Sequence, residues 1–221
     1  MSLVADGVSA GYRGRRVLTD ASLTVEAGET VGLRGPSGSG KSTLVRVLAL
    51  LHAPETGHVI LDGERITGTR HRVPASVRTR IGVLFQSPRA SADPRLTLEQ
   101  LIAEPLLAVR HPRDLIAGRV AELADRAGLT ADLLARRPHA VSDGQLQRAC
   151  LARALVHRPR HLLCDEATTM LDASTQALVA SVIIGEQRAT GMGVLVVSHD
   201  PALLERWADR VEDLTTVTRS H

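Results

Sequence analysis

An apolar pentapeptide, Thr30 to Arg34, runs directly into Gly35-Pro36-Ser37-Gly38-Ser39-Gly40-Lys41-Ser42, after which Leu44, Val45, Leu48 and Leu51 recur at helical spacing. Strand, glycine-rich loop and helix in that order constrain this chain more than any other feature. The octapeptide satisfies GxxxxGK[ST] in the one context that gives the pattern its meaning. Glycines 35, 38 and 40 let the backbone take positive φ and turn successive N–H groups toward one anion, and the helix beginning near Lys41 adds its positive end. Residues Gly35 to Ser42 with Thr43 are therefore the candidate phosphate cradle. Lys41 is expected to reach the β- and γ-phosphates of a nucleotide, and the Ser42 hydroxyl to ligate Mg²⁺. A plain Gly/Ser turn needs neither the lysine at that offset nor the helix behind it.

Lys41 is also the only lysine in the chain, the other 26 of its 27 basic residues being arginine. A compact ammonium on a flexible stem fits between phosphates, whereas the planar guanidinium fork does not. The 221 residues are 43% hydrophobic, enough for a substantial core, so a disordered or fibrous chain is excluded. Tyr12, Phe85 and Trp207 are the only aromatic residues, which makes the core aliphatic rather than a stacking surface for bases. The net charge of +3 comes with 24 acidic residues dispersed among the arginines. The basic balance thus reflects arginine in place of lysine as readily as a nucleic-acid footprint, and no nucleic-acid partner is expected. Cys150 and Cys164 lie 14 residues apart in aliphatic surroundings, a spacing that indicates neither a zinc site nor a disulfide and suits a reducing compartment. Met1 to Ala10 has no secretory pattern, and no apolar run approaches the roughly 18 residues of a membrane span. The chain is expected to be soluble, reaching a membrane only through a partner.

The rest of the sequence alternates between strand and helix patterns. Leu3 to Val8 and Ala21 to Val25 read as half-buried strands of a small antiparallel sheet, separated by the turn-forming Gly11 to Arg16. His58 to Asp62 reads as an edge strand and Ile81 to Phe85 as a core strand. From Ser87 to Ser142 the pattern becomes Leu/Ala-rich and helical, broken by Pro94, Pro105, Pro112 and Pro138, and reads as an inserted helical subdomain. Then follow helix 145–157, strand 161–165, helix 174–190, strand 194–198 and helix 201–209. Such alternation predicts an α/β fold, a mostly parallel sheet with helices on both faces. The strand His161 to Asp165 delivers two adjacent carboxylates at its carboxyl end, Asp165 and Glu166. Asp165 is the expected Mg²⁺ partner and Glu166 the candidate general base for an attacking water, a helix-capping pair being the plainer alternative.

A phosphate loop and a strand ending in Asp-Glu describe many P-loop ATPases with a RecA-like core. Four further motifs, in order, make nearly the whole chain resemble the nucleotide-binding subunit of ATP-binding cassette (ABC) transporters. Phe85-Gln86-Ser87 is similar to the glutamine loop, and Val141-Ser142-Asp143-Gly144-Gln145 to the signature, usually LSGGQ. Leu171-Asp172 is similar to the D-loop, and Ser198-His199-Asp200 to the switch histidine. Tyr12 matches the aromatic that stacks on adenine, although alone it is equally a surface tyrosine in a turn. The resemblance implies that Gln86 touches Mg²⁺ and water and that His199 stabilises the γ-phosphate. It also implies that Ser142, Gly144 and Gln145 bind ATP held by the other subunit of a dimer. The signature has a physical counterpart, since Ser142 capping a helix leaves outward N–H groups, a second anion site with nothing in its own chain to fill it. The implied organisation is one domain, with residues 1–86 and 146–221 forming the nucleotide core and β-subdomain, and 87–145 the helical subdomain.

Ser87 to Thr97, Ile102 to Leu106 and Arg148 to Pro159 resemble the peptide and nickel importer subfamily. This implies a bacterial uptake system using ATP and Mg²⁺ at the cytoplasmic face of the inner membrane. Its partners would be transmembrane permease subunits, a second cassette, identical or different, and, indirectly, an external solute-binding protein. A cassette acting on nucleic acid or in translation is the main alternative. The single cassette, the 55-residue gap between Gln86 and Ser142, and the two cysteines do not match its paired domains, coiled coil or zinc insertions. A weakly active regulatory cassette is the other.

Three positions depart from the family pattern. Asp143 replaces a glycine, and a carboxylate about 6 Å from a γ-phosphate would cost on the order of 3 kcal/mol at an effective dielectric near 20. On that reading Asp143→Gly raises basal ATPase. Ala167 stands where proline is common and is expected to loosen the loop after Glu166. Val211 to His221 has no glycine turn, so the sheet edge is expected to be incomplete or closed by a divergent strand, with the longer relatives' extension absent.

The lone lysine supplies a direct test. Amine-reactive labelling can reach only Lys41 and the N-terminal amine, so complete modification should abolish ATP hydrolysis and Mg-ATP should protect. Retained hydrolysis after complete labelling of Lys41 would overturn its assignment.

Overall fold

A computed structural model describes residues 1–169 and 171–217. The first two strands, β1 (Ser2–Tyr12) and β2 (Arg15–Glu26), pair antiparallel and run longer than the alternation predicts, because register shifts between Ala5 and Gly11 carry the ladder past Gly7. At Gly11 a Cβ would lie 2.2 Å from the Arg15 carbonyl oxygen, so the hairpin closes only with glycine there. After β3 (Thr30–Arg34) come α1 (Lys41–Leu48), β4 (Thr56–Leu61) and β5 (Glu64–Ile66), and the antiparallel sheet has the order β2-β1-β4-β5. A short helix α2 (Ala75–Arg78) precedes β6 (Ile81–Phe85).

Four helices follow, α3 (Pro88–Ser91), α4 (Leu98–Ala108), α5 (Arg113–Arg126) and α6 (Ala131–Leu134). Pro105 does not break the pattern as the sequence suggests but lies inside α4. Helix-interior proline costs about 3 kcal/mol. Here the buried stripe Leu98, Leu101, Ile102 and Leu106, with a complete Thr97–Gln100 capping box, carries the helix through it. The chain then alternates α7 (Asp143–Leu155), β7 (His161–Asp165), α8 (Ala173–Thr190), β8 (Gly193–Val197), α9 (Pro201–Trp207), β9 (Arg210–Asp213) and α10 (Leu214–Val217). The second sheet has the order β6-β7-β8-β3-β9, and every pairing in it is parallel. The edge that the sequence left incomplete or divergent is closed by β9. Val31 to Arg34 pair with Arg210 to Asp213 without a glycine turn. Residues 218–221 of that expectation lie outside the described residues.

The period of two in the central strands divides the core. Leu162 and Cys164 of β7 and Val194 and Val196 of β8 pack into one apolar cluster with α4, α5, α7 and α8, while Leu163, Leu195 and Val197 face the cluster made by α1 and the antiparallel sheet. Both layers are aliphatic. The helical segment is fixed to the rest by ion pairs as well as packing. Arg126 Nη1 lies 2.5 Å from Glu186 Oε2 on α8, and Arg119 donates to the Leu155 and Val156 carbonyls that end α7.

One buried polar residue stands apart. His161, at the start of β7, is fully buried, near the Val25 carbonyl but without a well-formed hydrogen bond to either ring nitrogen. Burial lowers its pKa below the ordinary 6.5, against the opposing pull of Asp62. The folded protein therefore keeps the ring neutral where the unfolded chain protonates it. This costs no stability above about pH 6.5, and stability falls as pH drops from there toward the lowered folded value, by up to about 1.4 kcal/mol per pH unit for one proton. Denaturant unfolding between pH 7 and pH 5 should show this slope flattened in His161→Leu. An unchanged slope would assign the acid sensitivity elsewhere.

Candidate functional site

The site begins where β3 ends. Gly38 and Gly40 have φ of 77° and 105°, both in the left-handed region. At Gly40 a Cβ would meet the Leu18 Cδ2 at 2.7 Å, whereas at Gly38 it would meet nothing within 4 Å, so the loop is closed on its inner side and open outward. α1 starts at Gly40 with no side-chain cap, which leaves its first-turn N–H groups for an anion. Ser39 Oγ is buried in the loop with no partner. Lys41 is 5% exposed, and its Nζ donates to the Gly35 and Pro36 carbonyls at 2.7 and 2.9 Å, so the ammonium lies within the loop that its neighbours form. Thr43 is buried behind it, and Pro36 and Ser37 are exposed at the rim.

Across the parallel sheet, β7 brings Asp165 to the same place. The Ser42 hydroxyl donates to Asp165 Oδ1 at 2.9 Å, a contact that joins residues 123 positions apart. Burial raises the Asp165 pKa. The Ser42 bond, Arg46 and Lys41 act in the opposite direction, while neighbouring Glu166 adds to the rise. Gln86, exposed at the end of β6, shares a cleft of about 680 Å³ with Ser42 and Asp165. Hydroxyl, carboxylate and amide are hard oxygen ligands. No cluster of three or more His, Cys, Asp or Glu side chains suited to a metal occurs among the described residues. The donor set fits Mg²⁺, which takes few protein ligands and completes its octahedron with phosphate oxygens and water.

Glu166 turns the chain out of β7 with φ of 50°, a left-handed conformation that costs a non-glycine residue about 1–3 kcal/mol. Its N–H donates to the Val197 carbonyl at 3.1 Å, and its own carbonyl accepts from Thr169 Oγ1 at 2.8 Å. The carboxylate thus stands beside the end of β8, where His199 Nδ1 lies 3.7 Å from Glu166 Oε2, longer than a hydrogen bond. Ala167 does not leave this loop loose. It is buried, and its carbonyl accepts from Gln147 Nε2 at 2.7 Å. The same Nε2 donates to the Phe85 carbonyl at 3.0 Å, so one buried amide holds the backbone next to Gln86 and the backbone next to Glu166. Sequence reasoning missed Gln147, whose signal is a single polar residue on the otherwise apolar stripe Leu146, Ala149, Cys150 and Leu151.

The structure therefore brings Lys41, Ser42, Gln86, Asp165, Glu166 and His199 around the carboxyl ends of the central strands. Ser142, Gly144 and Gln145 are held elsewhere, at the start of α7. Ser142 Oγ accepts from Gln145 N at 3.2 Å, and Gln145 Oε1 accepts from Ser142 N at 2.9 Å, a reciprocal capping box that fixes the turn. Gly144 packs on Thr175 of α8, where a Cβ would lie 3.3 Å from that side chain. Thr175 is in turn bonded through both N–H and hydroxyl to Asp172, the N-cap of α8. Hydrogen bonds from Ser174 and Thr175 hold the Asp172 carboxyl far below the usual range. The Asp143 carboxylate is paired within the chain, 2.7 Å from Arg89 Nε, which revises the expectation that it stands as a bare charge toward a phosphate. Tyr12 is 40% exposed, with its ring 4.6 Å from that of His52 and its hydroxyl accepting from Arg46 Nη1 at 3.2 Å. Cys150 and Cys164 are buried thiols, pushed up to about 11 and about 12 by desolvation, and Cys150 lines the cleft that Gln86 shares with Ser42 and Asp165.

Known proteins are similar to this chain in sequence and in fold. Residues 18–169 match the model of the family described as ABC transporter. The chain is 38% identical over 201 residues to a probable peptide ABC transporter ATP-binding protein, y4tS, of Sinorhizobium fredii, covering 89% of this chain and 56% of that protein. It is 37% identical over 208 residues to the nickel import ATP-binding protein NikE of Shigella dysenteriae, covering 93% of this chain and 77% of that one. The chain thus spans little more than half the length of y4tS. Among solved structures, the post-hydrolysis dimer of the ATP-binding cassette MJ0796 bound to ADP and Pi superposes with a TM-score of 0.87 at 28% identity, covering 96% of this chain and 94% of that one. With a family match across most of its length, and the phosphate loop and acidic strand end in register, the chain belongs to the ABC transporter family.

Proposed function

We propose that this chain is the ATP-hydrolysing subunit of an ABC importer of the peptide or nickel type. It would act at the cytoplasmic face of a bacterial inner membrane, where permease subunits and an external solute-binding protein handle the solute. The observation that carries this reading is the Ser42–Asp165 contact, which joins the phosphate loop to the acidic strand end in one oxygen-lined corner. In this reading residues 1–86 and 146–221 form the nucleotide core with its β-subdomain. Residues 87–145 are the helical part that displays the signature turn. No helix among the described residues is long and apolar enough to cross a membrane, which fits a subunit that meets the bilayer through partners.

The chain's own residues define the chemistry. Loop N–H groups and the Lys41 ammonium bind the β- and γ-phosphates, with Lys41 exchanging its bonds to the Gly35 and Pro36 carbonyls for phosphate oxygens. Ser42, Asp165 and Gln86 would hold Mg²⁺, which when bound draws charge from the β- and γ-oxygens. Glu166, held out of the strand by its left-handed backbone, polarises a water in line with the γ-phosphate, and His199 stabilises the charge that develops there. Tyr12 would support the adenine.

Ser142, Gly144 and Gln145 bind the γ-phosphate held by a second cassette, because the α7 N-terminus is built as an anion site away from its own chain's loop. Two cassettes then close head to tail over two nucleotides, and hydrolysis reopens them. Glu166→Gln should bind ATP, lose hydrolysis by at least a hundredfold and accumulate as an ATP-bound dimer. Light scattering that finds only monomer, with Mg-ATP bound to the variant, would overturn the composite site.

A further inference from the structure

The glycine-to-aspartate departure in the signature has a partner on the segment that follows Gln86. Arg89, on α3, uses all three guanidinium nitrogens on the signature turn. Nε lies 2.7 Å from Asp143 Oδ1, Nη1 donates to the Pro138 carbonyl at 2.9 Å, and Nη2 donates to the Val141 carbonyl at 3.1 Å. Those carbonyls belong to the backbone leading into Ser142, and Asp143 is the first residue of α7. A planar fork that meets two carbonyls and a carboxylate at once fixes the direction of the turn as well as its position.

The same helix is tied down further along α7. Arg153 Nη1 donates to the Ser91 carbonyl at 2.7 Å, and Gln147 reaches the Phe85 carbonyl just before Gln86. Asp143, Gln147 and Arg153 thus bind the 85–91 segment at three successive levels of α7.

We infer that Arg89 is a positioning residue for the signature turn and that Asp143 is its counter-charge, so that the segment after Gln86 sets the aim of the second anion site. The inference rests on the proposed composite site. It also reverses the effect expected from the sequence. Asp143 does not weaken capture of a neighbouring γ-phosphate by repulsion but supports capture, by holding Arg89 on the turn. Because Arg89 neutralises it, a carboxylate is tolerated where the family usually has glycine.

The test uses the full chain in the Glu166→Gln background, with Arg89→Ala, Asp143→Gly, and the double change Arg89→Ala with Asp143→Gly. Two quantities are read: affinity of each chain for a fluorescent ATP analogue, which reports its own phosphate loop, and the ATP-dependent dimer dissociation constant. Arg89→Ala should weaken the dimer at least tenfold, Asp143→Gly, which removes one exposed ion pair, about threefold, and the double change no more than Arg89→Ala alone, all with analogue affinity within twofold. Hydrogen exchange in 138–146 should accelerate in Arg89→Ala, with exchange in 35–45 unchanged. Asp143→Gly that tightens the dimer, or a double change whose loss is the sum of the two single losses, would overturn the inference. A Glu166→Gln parent that binds the analogue but never dimerises would instead remove the composite site beneath it, and unaltered exchange in 138–146 would by itself refute the role of Arg89.

Discussion

The Ser42–Asp165 hydrogen bond is the contact on which the rest of the site depends. It requires β7 to lie inside a parallel sheet, between β6 and β8, and β3, on the far side of β8, to end in the loop that leads into α1. A buried carboxylate with one hydroxyl donor is an expensive arrangement unless a cation and its phosphate ligands complete it. The aliphatic core bears that cost. Leu163, Leu195 and Val197 pack under α1 on one face, and Leu162, Cys164, Val194 and Val196 under α7 and α8 on the other, so the strand ends that carry Asp165, Glu166 and His199 are rigidly placed.

α7 is the second organising element. Its N-terminus displays the signature turn, its second turn holds the backbones beside Gln86 and Glu166 through Gln147, and its fourth holds Ser91 through Arg153. One rigid rod therefore links the residues proposed to act on this chain's nucleotide to those proposed to act on a neighbour's. A displacement of the 85–91 segment cannot leave the signature turn where it was without breaking one of these contacts. That is a mechanical basis for coupling between the proposed membrane partner and nucleotide capture, and it resides mainly in hydrogen bonds to backbone carbonyls, the exposed Arg89–Asp143 pair adding the smaller share of about 0–1 kcal/mol.

Much of this was legible in the sequence because it is local. The strand Thr30–Arg34, the loop glycines and the helix after them are contiguous, as are Ser142 and Gln145, whose spacing of three is a capping box. Two strands of the parallel sheet were equally plain, the edge strand Ile81–Phe85 and the fully buried His161–Asp165 both matching their expected bounds. What escaped depends on partners far along the chain. Gln147 reads as one polar residue in a helix until its two carbonyl partners, 62 and 20 residues away, are known. Asp143 reads as a repulsive charge until Arg89 stands beside it. β9 carries no strong strand pattern because it is a short edge strand, and its register comes from β3. Pro105 misled as a helix breaker because burial of the surrounding leucines outweighs one lost backbone bond.

The central claim is that the phosphate loop and the signature turn of one chain serve different nucleotides, so that a complete hydrolytic site needs two cassettes. Steady-state ATP hydrolysis by the purified chain, measured at saturating Mg-ATP over several decades of chain concentration, tests this most directly. Specific activity should rise with concentration and level off as pairs form. A specific activity constant down to the lowest concentration, with the chain monomeric there by light scattering, would contradict the account.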